Sequence, residues 1–138
     1  MERKERHVAN AITPMLMFEG CAEEAMNLYV SVFAGSKIVR VERWEPGEPG
    51  REGTVKRGSF RVGTQDLLCM DSPVSHGFTF TPSLSIFVEC ESEGELDQAF
   101  AQLSADGTIL MPLATYPFSK KFAWINDRFG VSWQLNLA

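Results

Sequence analysis

Side chains that could do chemistry are few in this sequence, and they stand far apart. There are two histidines, His7 and His76, and three cysteines, Cys21, Cys69 and Cys90. No CxxC pair exists, so neither a thioredoxin-like centre nor a structural zinc site is encoded. Free thiols belong in a reducing compartment. His76 lies in a turn-rich stretch, Asp71–Pro82, beside Gly77 and near Phe78 and Phe80. Such an imidazole is either a solvent-exposed loop residue or a lid over a pocket, able to act as acid or base. His7 sits in a polar arm and carries no expected role. Cys69 either lines a cavity or fills core space as a small hydrophobe. Trp44, Trp124 and Trp133 can stack on a ligand, though Trp133 falls on an apolar strand face and reads as core. Asp127-Arg128-Phe129-Gly130 reads as a hairpin turn with a structural ion pair, and Lys120 and Lys121 either as partners of anionic groups or, in preference, as a solvated strand edge.

These residues need a scaffold, and hydrophobic spacing supplies one. Ile12–Phe18 is an apolar run that reads as a strand, broken by Glu19-Gly20. In Cys21–Phe33 the apolar residues Ala22, Ala25, Met26, Tyr29 and Phe33 recur at helical steps. Glu23 and Glu24 stand in the first turn, where carboxylates suit the helix dipole. Strands follow at Lys37–Trp44, Thr54–Val62 and Leu67–Asp71, with a Pro/Gly loop at Glu45–Gly53. After the connecting stretch, Ser83–Glu89 alternates as a strand. Ser92 and Glu95 form a capping box for a helix carrying Leu96, Ala99, Phe100 and Leu103. Strands at Ile109–Thr115, Lys121–Asn126 and Val131–Leu137 complete the chain. The order strand, helix, three strands therefore occurs twice, with Phe18 answering to Val88 and Phe33 to Leu103 at the same 70-residue offset. The expected organisation is a polar arm at 1–10 and one domain at 11–138, with halves at 11–71 and 83–138 joined by 72–82.

Bulk properties exclude several functions. The chain has 138 residues and a formal net charge of −5, with basic residues clustered only at Arg3–Arg6 and Lys120–Lys121. That balance repels phosphate backbones, so no nucleic-acid partner is expected. The charged N-terminus precedes no apolar h-region, and no apolar run reaches the roughly 20 residues that span a bilayer. The expected location is cytoplasmic, without membrane partners.

Three segments carry a family resemblance. They are Ile12–Gly20 with Ala22-Glu23-Glu24-Ala25 and Tyr29, then Leu110-Met111-Pro112-Leu113, then Tyr116–Gln134. They resemble the PhnB-like group, often labelled demethylubiquinone 3-methyltransferase-like, of the glyoxalase, bleomycin-resistance and dioxygenase (vicinal oxygen chelate) superfamily. The resemblance implies an α+β fold in which duplicated βαβββ modules form curved mixed sheets around a cavity, in a homodimer. Carried over from metal-dependent relatives, the ligand positions fall at Thr13, Ser83 and Gln134, with a fourth near Leu67 or Cys69. Hydroxyls and an amide bind divalent transition metals poorly. No metal and no other cofactor is therefore expected.

Strand alternation places Thr13, Met15 and Met17, then Ser83, Ser85 and Phe87, then Gln134, on cavity-facing sides. With Cys69, His76 and Trp124 these are the candidate pocket residues. The expected function is binding of a small, partly apolar molecule in a metal-free cavity. The alternatives are a lyase or dioxygenase of the superfamily, and the methyltransferase of the family label. The last needs an S-adenosylmethionine fold, and Glu19-Gly20-Cys21 after the first strand is no glycine-rich dinucleotide-type turn.

Overall fold

In the computed structural model, residues 7–138 are described. Residues 1–6 of the polar arm, including the Arg3–Arg6 cluster, lie outside the described residues. The first half runs β1 (Met15–Phe18), α1 (Ala22–Val32), β2 (Lys37–Arg43), β3 (Val55–Val62) and β4 (Gln65–Asp71). The second runs β5 (Ser85–Glu89), α2 (Glu93–Ser104), β6 (Thr108–Tyr116), β7 (Ser119–Asn126) and β8 (Ser132–Leu137). The strands form two four-stranded sheets, ordered β1-β4-β3-β2 and β5-β8-β7-β6. In each, the first strand pairs parallel with the last and the other neighbours pair antiparallel. The duplication read from element order is thus present in topology as well.

Local chemistry explains the boundaries. α1 begins at Ala22 with Gly20 N–H and Ala22 N–H both donating to one Asp71 oxygen, at 2.8 and 3.0 Å. The carboxylate of a strand end therefore satisfies donors that a helix start leaves open. Val55 N–H takes the other Asp71 oxygen at 2.9 Å. α2 is capped as expected, Ser92 Oγ accepting from Glu95 N at 3.1 Å, while Glu95 reaches back to Glu91 N rather than to its cap. β1 and β5 start later than alternation suggested. Pro14 has no N–H to give, and only its carbonyl joins the ladder, accepting from Leu68 N at 2.9 Å. Thr81–Leu84 closes a turn, with Leu84 N–H on Thr81 O at 3.2 Å. β4 starts earlier, because the turn after β3 needs only Gly63-Thr64, with Gly63 at φ 57°.

The core lies between the sheets. Tyr29 of α1 is fully buried, stacked on Phe60 of β3 at 6.3 Å and tilted against Trp133 of β8 at 5.0 Å. One ring therefore touches both sheets, which turn their helix-bearing faces toward each other. Phe33 adds a second contact to Trp133, at 5.7 Å. Leu16, Phe18, Leu67 and Cys69 face this core from the first sheet, and Ile125, Trp133 and Leu135 from the second.

Two expectations need correction. Asp127 makes no ion pair with Arg128. It is buried and accepts from Tyr29 Oη at 2.7 Å, Trp133 Nε1 at 2.9 Å, Phe129 N at 2.8 Å and Val131 N at 3.0 Å. Arg128 turns outward over the Phe129 ring, with Glu24 3.8 Å away. Lys121 is no free edge charge: its ammonium pairs with Glu93 and Asp97 of α2, each at 2.7 Å. Both errors arise because the partner lies on another element, which local sequence does not reveal.

Candidate functional site

With helices on their inner faces, both sheets leave their outer faces uncovered. On the first sheet the β1–β4 register sets Met15 beside Leu68 and Met17 beside Met70. These side chains make a partly exposed apolar strip, and Ser59 lies alongside Leu68. On the second sheet the cross-strand pairs form rows. One row holds Ser85, Ser132 and Asn126, and the next holds Phe87, Gln134 and Trp124. Phe87, Tyr116, Phe118 and Phe122 continue the face as an aromatic group with centroids 5.1 to 6.4 Å apart.

The polar groups of this second face are already oriented. Trp124 Nε1 donates to Ser132 Oγ at 2.8 Å, and Ser132 Oγ lies 2.8 Å from Ser85 Oγ. Ser85 Oγ can donate to Pro82 O at 3.3 Å. The indole donates only, so Ser132 Oγ accepts from it, and either serine hydroxyl can donate in the Ser132–Ser85 contact. Asn136 Nδ2 donates to Glu89 Oε2 at 2.9 Å. The Gln134 amide, on the same face, is the polar side chain available between two aromatic neighbours.

The candidate pocket residues do not meet at one point in a single chain. Met15, Met17 and His76 line a recess of about 860 Å³ between β1, the start of α1 and the connecting segment. Ser85 and Phe87 line an adjoining apolar groove of about 440 Å³ that runs between β1 and β5, with Leu16, Leu67 and Ile86 in its walls and Thr79 and Phe80 shared with the recess. Trp124 and Gln134 line neither, but they adjoin the groove: Gln134 is the cross-strand neighbour of Phe87, and Trp124 bonds Ser132. Thr13 is half-buried ahead of β1, and Ser83 is exposed in the turn ahead of β5. Cys69 lies on the other side of its sheet. It is fully buried, and a Cβ placed on Gly58 would meet both Cys69 Sγ at 2.7 Å and Met26 Cε at 2.9 Å. Cys69 therefore packs under α1 and faces no cavity.

The thiols are poor nucleophiles. Burial pushes both Cys69 and Cys90 up to about 12. Cys21 is raised too, by burial first and then by the Asp71 carboxylate. The thiolate is the reactive form, so none of the three is activated. A metal also lacks a fitting donor set. Thr13, Ser83 and Gln134 offer neutral oxygens, and among the described residues no three His, Cys, Asp or Glu side chains converge.

Sequence reasoning missed four contributors. Ser132 is the hydroxyl at the centre of the polar row, and Glu19, Phe80 and Phe129 line the recess. Ser132 shares the outward face with Gln134, two residues on, by the period of two. The aromatic spacing Phe78–Phe80 was the available signal for the recess, but Phe129 comes from the other end of the chain.

Comparison with known proteins agrees with this architecture. The chain matches the family described as 3-demethylubiquinone-9 3-methyltransferase over residues 10–136. The PhnB protein from Bacillus cereus is 57% identical, covers 92% of this chain and 98% of its own, and superposes with a TM-score of 0.90. A protein from Pseudomonas aeruginosa is 26% identical, with 94% and 98% covered and a TM-score of 0.82. The fosfomycin resistance protein FosX from Mesorhizobium loti shares the fold alone, at 11% identity, 95% and 94% coverage and a TM-score of 0.61. No curated protein matches the chain.

Proposed function

The chain belongs to the 3-demethylubiquinone-9 3-methyltransferase family, a PhnB-like group of the vicinal oxygen chelate superfamily, and on that premise we propose that it binds a small, partly apolar molecule, without a metal, in a cavity that two copies build together. The observation that carries this reading is the pair of uncovered sheet faces. Met15 is 43% exposed, Phe87 51% and Phe118 64%. Apolar surface of this kind, set among ordered polar groups, marks a binding or interaction site. β1 and β5 are also sheet edges with one side unpaired. A second copy that laid its β5–β8 face opposite β1–β4 of the first would close a cavity. Its walls would hold Met15, Met17 and Met70 on one side and Phe87, Trp124 and the Gln134 amide on the other.

A metal-dependent lyase or dioxygenase has no donor set in its favour among the described residues. The methyltransferase of the family description lacks structural support as well: both sheets are mixed, and neither has the doubly wound parallel order that binds S-adenosylmethionine in such enzymes. Native mass spectrometry of freshly purified protein tests the proposal. Dimer mass, with or without a retained organic ligand and with no stoichiometric metal, supports it. A monomer at micromolar concentration, or one divalent ion per chain lost on chelation, refutes it. Saturable micromolar S-adenosylmethionine binding would restore the methyltransferase reading.

A further inference from the structure

We infer that the recess beneath the connecting segment is a second binding site, selective for an organic cation with an aromatic or aliphatic body, with Glu19 as its counter-charge. Its walls all belong to one chain, and it shares Met15 and Met17 with the cavity proposed for the dimer. Its volume of about 860 Å³ lies in the range of small-molecule sites.

The walls are aromatic and thioether. Phe80 is tilted on Phe18 at 5.2 Å, and Phe129 stands edge-on to Phe18 at 6.3 Å. His76 stacks on Phe78 at 4.8 Å, and Phe78 keeps 64% of its surface exposed. The Phe129 ring already carries the Arg128 guanidinium at 4.6 Å, and aromatic rings of this kind favour a cation over a neutral or anionic head.

The charge at the rim has the matching sign. Glu19 lines the recess, and its carboxylate receives only a backbone donor, His76 N–H at 3.2 Å. Among the described residues no Lys or Arg pairs with it. Two guanidiniums lie nearby without pairing with it: Arg51 Nη2 would stand 3.2 Å from a Cβ on Gly20, and Arg128 stacks on the Phe129 ring with Glu24 at 3.8 Å. An anion would have to use the α1 N-terminus, but Asp71 already takes the Gly20 and Ala22 N–H groups. Charge and wall chemistry therefore select the same class of ligand.

NMR titration of the whole protein with three probes that share one ring tests this. The probes are benzyltrimethylammonium, benzyl alcohol and phenylacetate. The expected result is saturable movement of the Cys21 and 76–80 amides by the cation, with the other two at least about tenfold weaker. Glu19→Gln keeps an oxygen for His76 N–H, so the loop stays held, and should weaken the cation about three- to fivefold. Glu91→Gln removes the same charge away from the recess and should leave it unchanged. Phe78→Ala reads the ring contribution and should also weaken the cation. Equal affinity for the three probes, no effect of Glu19→Gln, or movement confined to Phe87, Trp124 and Gln134 would overturn the inference. Cation binding mapped to the recess of a monomer would uphold it while the dimer proposal fell.

Discussion

Replacing Asp127 by Asn removes one negative charge and one acceptor atom at the point where the two halves join. One carboxylate oxygen takes the backbone N–H groups of Phe129 and Val131, and the other takes Tyr29 Oη and Trp133 Nε1. An asparagine can keep its carbonyl toward the backbone pair. Its NH2 then faces a hydroxyl, which can rotate and accept, and an indole N–H, which cannot. Trp133 is fully buried, so its N–H has no water to turn to. An orphaned buried donor costs about 1–3 kcal/mol, and hydrogen bonds to a charged acceptor are worth about 1.5–3 kcal/mol each before replacement. The net expectation for Asp127→Asn is a loss of about 2–3 kcal/mol in urea unfolding. For a domain of this length that corresponds to a fall of about 6–15 °C in Tm. Tyr29→Phe removes one donor and leaves three, so it should cost less, about 1–2 kcal/mol. In the double variant the two losses should fall short of adding, because they share one oxygen. If Asp127→Asn unfolds within about 0.5 kcal/mol of the parent, the carboxylate does not join the halves.

Three further outcomes follow from the same packing. Stability should fall as pH rises from 9 toward 12, because burial pushes Cys69 and Cys90 from 9.0 up to about 12. The unfolded chain then releases those protons first, so alkali favours unfolding, and urea midpoints at pH 7, 9.5 and 11 with Cys69→Ala as comparison check it. Gly58→Ala should destabilise by about 1–3 kcal/mol, since its Cβ would sit 2.7 Å from Cys69 Sγ and 2.9 Å from Met26 Cε. The Cys69→Ala, Gly58→Ala pair should recover part of that loss in thermal unfolding, and no recovery would show that the strain lies elsewhere. Lys121→Met should cost about 1–2 kcal/mol, because Glu93 is mostly exposed while the Asp97 Oδ1 left behind is buried; no loss in urea unfolding would refute that reading.

Much of the fold is written in local pattern. Helical spacing at Ala22–Phe33 and the Ser92 capping box give α1 and α2, and alternation in β1, β5 and β8 sorts Met15 from Leu16, Phe87 from Ile86 and Gln134 from Trp133. These features depend on neighbours within a few residues, which is why one sequence suffices to find them. Part of the candidate site was legible for the same reason. The side of the sheet on which Met15, Met17, Ser85, Phe87 and Gln134 stand follows from the period of two.

What the sequence left open depends on partners far along the chain. Cys69 can be cavity wall or core from its own strand, and Gly58 and Met26, on two other elements, put it in the core. Asp127 can pair with its neighbour Arg128 or with Tyr29, 98 residues away, and the buried hydroxyl and indole take it because an unpaired donor there costs more than a solvated guanidinium. The doubled βαβββ order was legible from residue types alone. That its two sheets turn their helices inward, leave their outer faces uncovered and divide the candidate residues among a recess, a groove and an open face was decided by which large side chains could fill one shared core, with Tyr29 and Trp133 at its centre.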